Sequence, residues 1–170
     1  MKHKIIVLLT LIFVFAVGCA NHSGQSVSDY EETYYPSVYD ELLELDRIDR
    51  VEGLLLGLNP DYDEKKIFNE PKEVMHFIDV LKSMSIKGIA DAGEWGPGGS
   101  SSYEFYAADE LLLSLHFIDV SSRIIMIETA EPQKAAYTVK YDGQISLYDL
   151  YEASETPVIQ IDIEGNPVEE

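Results

Sequence analysis

Cysteine is nearly absent from this chain of 170 residues: Cys19 is the only one. No disulfide can therefore close within the chain, and whatever folds must rest on an apolar core. Basic residues are scarce as well, with 12 lysines and arginines against 31 aspartates and glutamates and a formal net charge of −19 at pH 7. Phosphate binding draws on clustered Lys and Arg, so this balance argues against nucleic acid as a partner, and it disfavours direct docking on anionic lipid. Cations or a basic protein surface suit it better, as does plain solubilising charge. Tryptophan occurs once, at Trp95. The chain has no Gly-x-Ser-x-Gly elbow and no His-Glu-x-x-His pair, so no catalytic residue is assigned and no enzyme activity is expected. With so many acids, chance proximity of two carboxylates carries no weight. No cofactor and no metal ligand set is assigned.

Long apolar runs are also few. One stands out, Ile5 to Gly18, preceded by Lys2 and Lys4 and interrupted only by Thr10. It falls short of the roughly 20 apolar residues that a membrane-spanning helix needs, and it ends on the polar stretch Asn21-His22-Ser23-Gly24. Its layout is that of a cleaved export signal. The end of the run, Ala16-Val17-Gly18-Cys19, resembles the lipobox of bacterial lipoproteins, although Ala16 stands where that family usually has Leu. The resemblance implies diacylation of Cys19 and cleavage before it, leaving the domain anchored on the extracytoplasmic face of the cell membrane. Two acyl chains hold a protein stably where one does so only marginally. Loss of Lys2 and Lys4 would lower the formal charge from −19 by two, to −21.

The sequence divides into a signal at 1–18, a tether at 19–36 and one domain at 37–170. The tether is rich in Ser, Gly, Asn, Asp and Glu and has no apolar period. As a random coil it would span roughly 20 to 25 Å, beyond the screening length of about 8 Å at physiological ionic strength, so it would hold an acidic domain clear of the bilayer charge. Tyr30, Tyr34, Tyr35 and Tyr39 predict that its distal end packs on the domain.

Within the domain, Val38 to Leu45 predicts a short helix and Ile48 to Leu58 a first strand. Pro71 and the acids around it open a helix whose Val74, Phe77, Ile78 and Leu81 recur at helical spacing. Strands follow over Ile86 to Ala90, around Tyr103 to Tyr106, over Leu111 to Val120 and over Arg123 to Thr129. Tyr137, Val139 and Tyr141 then alternate on one face. A last helix runs from Ser146 to Ala153, and Val158 to Ile163 forms an edge strand with Asp162 and Glu164 outward. Short successive connections predict an α+β fold, an antiparallel meander of about five strands with helices packed on one face. The helix Glu70 to Met84, the strands from Tyr103 to Tyr141 and the ending Ser146-Leu147-Tyr148-Asp149-Leu150-Tyr151 resemble small uncharacterised lipoproteins of Gram-positive bacteria. That resemblance implies a type of domain and no activity.

Three segments invite sharper readings. His76-Phe77-Ile78-Asp79-Val80 recurs as His116-Phe117-Ile118-Asp119-Val120, but the flanks do not repeat, and the first copy falls on a helix while the second falls on a strand. Two structural roles are expected rather than a shared metal site. Asn59-Pro60-Asp61-Tyr62-Asp63-Glu64 gathers oxygen ligands without the Gly and Glu of an EF-hand register, which predicts a solvated turn. Trp95, in the Gly- and Ser-rich stretch Gly93 to Ser102, is the candidate aromatic anchor for a partner. The functional expectation is a membrane-anchored, noncatalytic module that binds another envelope protein. The alternative is an envelope lipoprotein that binds a small ligand or metal through the acidic turn and the two domain histidines.

Overall fold

Val51, Gly53 and Leu55 are buried while Arg50, Glu52, Leu54 and Leu56 between them are only partly buried, so β1 (Arg50–Leu56) has one face in the core and a less enclosed one opposite. The computed structural model describes residues 45–90, 98–128 and 134–168, except the side chains of 127, 128, 134 and 135. Strands β2 (Asp63–Phe68), β3 (Met84–Ile89), β4 (Ser100–Ala107), β5 (Glu110–Phe117), β6 (Ile124–Glu128), β7 (Lys134–Tyr141) and β8 (Ile159–Ile161) complete one sheet. The α-helices among the described residues are α1 (Pro71–Ser83) and α2 (Leu147–Ala153). All neighbours pair antiparallel, in the order β3-β7-β6-β5-β4-β1-β2-β8.

The expected α+β composition and antiparallel sheet are present, but the sheet has eight strands instead of about five. A meander does run through β4, β5, β6 and β7; β1, β2 and β8 extend it on one side and β3 on the other. Strand β2 escapes a reading of the sequence because four successive charged residues, Asp63-Glu64-Lys65-Lys66, mask its alternation. The tail strand is shorter than expected: β8 stops at Ile161, and Ile163 lies in the turn beyond it. Only Leu45 of the helix expected over Val38 to Leu45 is described, and it opens a short 3-10 turn, Leu45–Arg47.

Helix α1 begins at Pro71, where the missing N–H costs nothing because the first helical donors have no intrahelical acceptor. It buries Val74, Phe77 and Leu81. Helix α2 is opened by Ser146, which accepts from Asp149 N at 3.1 Å while the Asp149 carboxylate accepts from Ser146 N at 2.6 Å. Leu147 and Tyr151 point inward. Both helices share one core with Val51, Leu55, Phe68, Tyr103, Phe105, Leu115, Phe117 and Tyr141, so they lie on the same side of the sheet. Aromatic rings run through this core in succession. Tyr151 meets Phe68 at 6.1 Å between centroids, Phe68 meets Phe77 at 4.5 Å, and Tyr103 stands 6.1 Å from Phe77 and 6.0 Å from Phe117.

The connection β2-α1-β3 carries the chain from near one edge of the sheet to the opposite edge, past five intervening strands. The sheet has a seam: β5 and β6 share a single registered pair, Phe117↔Ile125, supplemented by the bond from Ile118 N to Ile124 O at 2.9 Å. At the far edge the chain turns back on β8, with Ile161 bridged to Pro167.

Candidate functional site

The face of the sheet opposite the helices is built by the alternate residues of the same strands. In β1 and β4, Arg50 stands across from Tyr106, Glu52 from Glu104, and Leu54 from Ser102. On the neighbouring strands Lys65 lies opposite Leu54, Ser114 opposite Glu104 and His116 opposite Ser102. Like charges directly across a pair of strands repel, so the Glu52 and Glu104 pair needs compensation. Lys65 Nζ lies 2.6 Å from one oxygen of Glu52, and Arg50 Nε lies 3.1 Å from the other. The arginine contact is close but poorly aligned, so Nε makes no hydrogen bond there. The Arg50 guanidinium sits 4.3 Å from the centroid of the Tyr106 ring, and Tyr106 donates to Glu104 Oε2 at 2.5 Å. Burial, followed by this hydrogen bond and the Glu104 charge, pushes the Tyr106 phenol up to about 12. The phenol is thus a fixed donor at neutral pH. This face carries groups that stack, donate and accept, and among the described residues both helices lie on its far side.

On the helix side, Lys66 is buried at 6% exposure. Its ammonium donates to Tyr151 O at 2.8 Å and Ser154 O at 3.0 Å, the carbonyls at the end of α2, and lies 4.7 Å from the Tyr151 ring. A cation suits that end of a helix dipole. Glu73 ties α1 to the residues after α2, accepting from Ser154 Oγ at 2.5 Å and Thr156 Oγ1 at 3.1 Å. These contacts hold helices in place; they were not visible in sequence because each partner lies some 80 residues away.

A second buried polar group closes the seam. Ser122, with a φ of 57°, is fully enclosed, and its hydroxyl meets Ser101 Oγ at 2.9 Å and Tyr103 Oη at 3.2 Å. The Asp119 carboxylate accepts from Ile124 N at 2.6 Å, from Arg123 N at 3.1 Å and from Ser121 Oγ, which fixes the turn between β5 and β6.

Cys19 and Trp95, the residues singled out for lipidation and partner binding, lie outside the described residues. The two histidines are kept apart. His76 is exposed on α1 beside Glu73, Ser154 and Glu155 in an open cleft of 310 Å³, while His116 lies on the face opposite α1 and α2 with Nε2 3.1 Å from Ser114 Oγ. The acidic segment is a turn leading into β2, as expected for its first half: Asp63 Oδ1 accepts from Gly57 N at 2.7 Å and Asn59 Oδ1 from Asp61 N at 3.0 Å. Among the described residues no three of His, Cys, Asp and Glu converge to hold a metal ion, and no helix is long and apolar enough to cross a membrane. No protein-family model, curated protein or solved structure matches the chain.

Proposed function

We propose that this chain is a lipid-anchored, extracytoplasmic module that binds another protein of the cell envelope and carries out no chemistry on it. The sheet face opposite the described helices carries the reading. On it Arg50 and Tyr106, residue types enriched in interface cores, are already stacked and held by carboxylates, so little side-chain freedom is lost when a partner covers them. The sequence Ala16-Val17-Gly18-Cys19 supplies the anchor, and the acidic tether supplies the standoff. Trp95 stays in this proposal as an additional aromatic anchor.

Two measurements test it. A labelled fatty acid is expected to tag the wild-type protein and to leave Cys19→Ala unlabelled; equal labelling would remove the anchor. Cross-linking in intact cells is expected to join the protein to a defined envelope partner, with the yield falling for Tyr106→Ala and for Trp95→Ala. Recovery of no specific partner would overturn the interaction reading.

A further inference from the structure

The sheet ends at two neighbouring loops, the β1–β2 turn and the turn after β8, which are brought together because β2 and β8 pair through Asp63↔Ile161. Between them lies an open groove of 370 Å³ lined by Pro60, Asp61, Tyr62, Asp63 and Ile163. Ile163 is 98% exposed, and Leu58 at the rim is 47% exposed. Turns ordinarily take Gly, Asn, Asp or Ser, and a β-branched apolar residue gains nothing there from local structure. The turn is nevertheless tightly built. Asp162 Oδ1 accepts from Glu164 N and Asn166 N, each at 2.9 Å, Gly165 N donates to Asp162 O at 2.9 Å, and Gly165 supplies the φ of 85°. Ile163 is held outward by a rigid frame, and hydrogen bonding to Asn166, Glu164 and Gly165 keeps the Asp162 carboxyl below its usual range. Among the described residues, no ion pair uses Asp61, Asp63, Asp162 or Glu164.

We infer that this groove docks a Lys- or Arg-bearing segment of a partner protein, with the aliphatic stem lying along Tyr62 and Pro60, the cationic head beside Asp61 and Asp63, and an adjacent apolar side chain covering Ile163. Charge complementarity selects this occupant. Two carboxylates that no ion pair among the described residues uses, Asp61 and Asp63, line the groove beside Pro60, Tyr62 and the exposed Ile163, and a long basic side chain is the one that presents hydrocarbon and positive charge together. The inference rests on the interaction reading and names the chemistry of its partner.

The test titrates the full-length protein with a short synthetic peptide of alternating leucine and lysine, and with its leucine–glutamate counterpart as control. Saturable binding of the basic peptide alone is expected, weakened at least about tenfold by Ile163→Ser and by Asp61→Asn, and lost near 1 M salt, where screening reaches about 3 Å. Asp109→Asn removes the same charge from the turn between β4 and β5, at the opposite end of the sheet, and is expected to leave binding intact. Matching melting temperatures for the variants secure their folding, since both altered side chains at the groove face solvent. Failure of the basic peptide to bind, equal binding by Ile163→Ser, or equal losses in Asp61→Asn and Asp109→Asn would overturn the groove as a site. An envelope partner still cross-linked to Ile163→Ser would then leave the interaction reading standing with its surface elsewhere.

Discussion

Tyr103 and Tyr141 stand on strands that never pair, β4 and β7, and Ser122 joins them: its hydroxyl donates to Tyr103 Oη at 3.2 Å while its carbonyl accepts from Tyr141 Oη at 2.8 Å. The two phenols thereby clamp the seam between β5 and β6, where the sheet ladder is thinnest. Burial is the main influence on both and pushes both well above the ordinary phenol value; it does the same to Tyr151 in the core.

The pH dependence follows from the direction of these shifts. A phenol whose folded pKa is raised stabilises the fold fully below its unfolded value of about 10, and that contribution is lost as the pH climbs from there towards the folded value. Alkaline titration is therefore expected to show Tyr103, Tyr141 and Tyr151 ionising only as the protein unfolds. Phenolate absorbance and circular dichroism, followed together above about pH 10, should change in one step for these residues. Phenolate formation well before the loss of structure would contradict the burial of the clamp.

The repeated pentapeptide offers an internal control. Asp119 in the second copy is buried and receives three backbone and side-chain neighbours at the turn, whereas Asp79 in the first copy is exposed on α1. Asp119→Ala strips the acceptor from buried N–H groups and is expected to cost about 2–4 kcal/mol in denaturant unfolding; Asp79→Ala should stay within about 0.5 kcal/mol.

Gly53 lies beneath Tyr151. A Cβ added there would stand 2.8 Å from Tyr151 Cδ2 and 3.3 Å from both Phe68 and Tyr103. Gly53→Ala is expected to destabilise by about 1–3 kcal/mol through overpacking, measured by chemical denaturation, and to cost less when Tyr151→Leu has opened the site.

Adjacent lysines should behave differently. Lys66→Met leaves the carbonyls of Tyr151 and Ser154 without their donor and is expected to cost about 1–3 kcal/mol, with faster amide exchange at the end of α2. Lys65→Met breaks a partly exposed pair with Glu52 and should cost no more than about 1 kcal/mol. Equal effects would mean that Lys66 does not act as the cap.

What the sequence disclosed was local. The alternation of Tyr137, Val139 and Tyr141, the helical spacing of Val74, Phe77 and Leu81, and the serine that opens α2 each depend on neighbours a few positions away, and each occupies the expected element. The order of strands did not emerge, because β3 joins β7 and β1 joins β4 through pairings some 50 residues apart. The pairing of Arg50 with Tyr106 was equally hidden, since either residue alone reads as ordinary solvent-facing strand. Identical pentapeptides show why local text falls short here. Phe77 and Phe117 approach Tyr103 from a helix and from a strand, while the aspartates that follow them meet solvent in one case and a buried turn in the other.

The bridge between Ile161 and Pro167 bears on how copies of this chain coexist. Val168 N donates to Gln160 O at 2.9 Å, so the return segment occupies the margin that β8 would otherwise present, and proline contributes no N–H to whatever approaches next. At the other margin, the irregularity between Ile86 and Gly88 breaks the register that a docking strand would need. Among the described residues both sheet margins are thus blunted, which disfavours edge-to-edge pairing between copies.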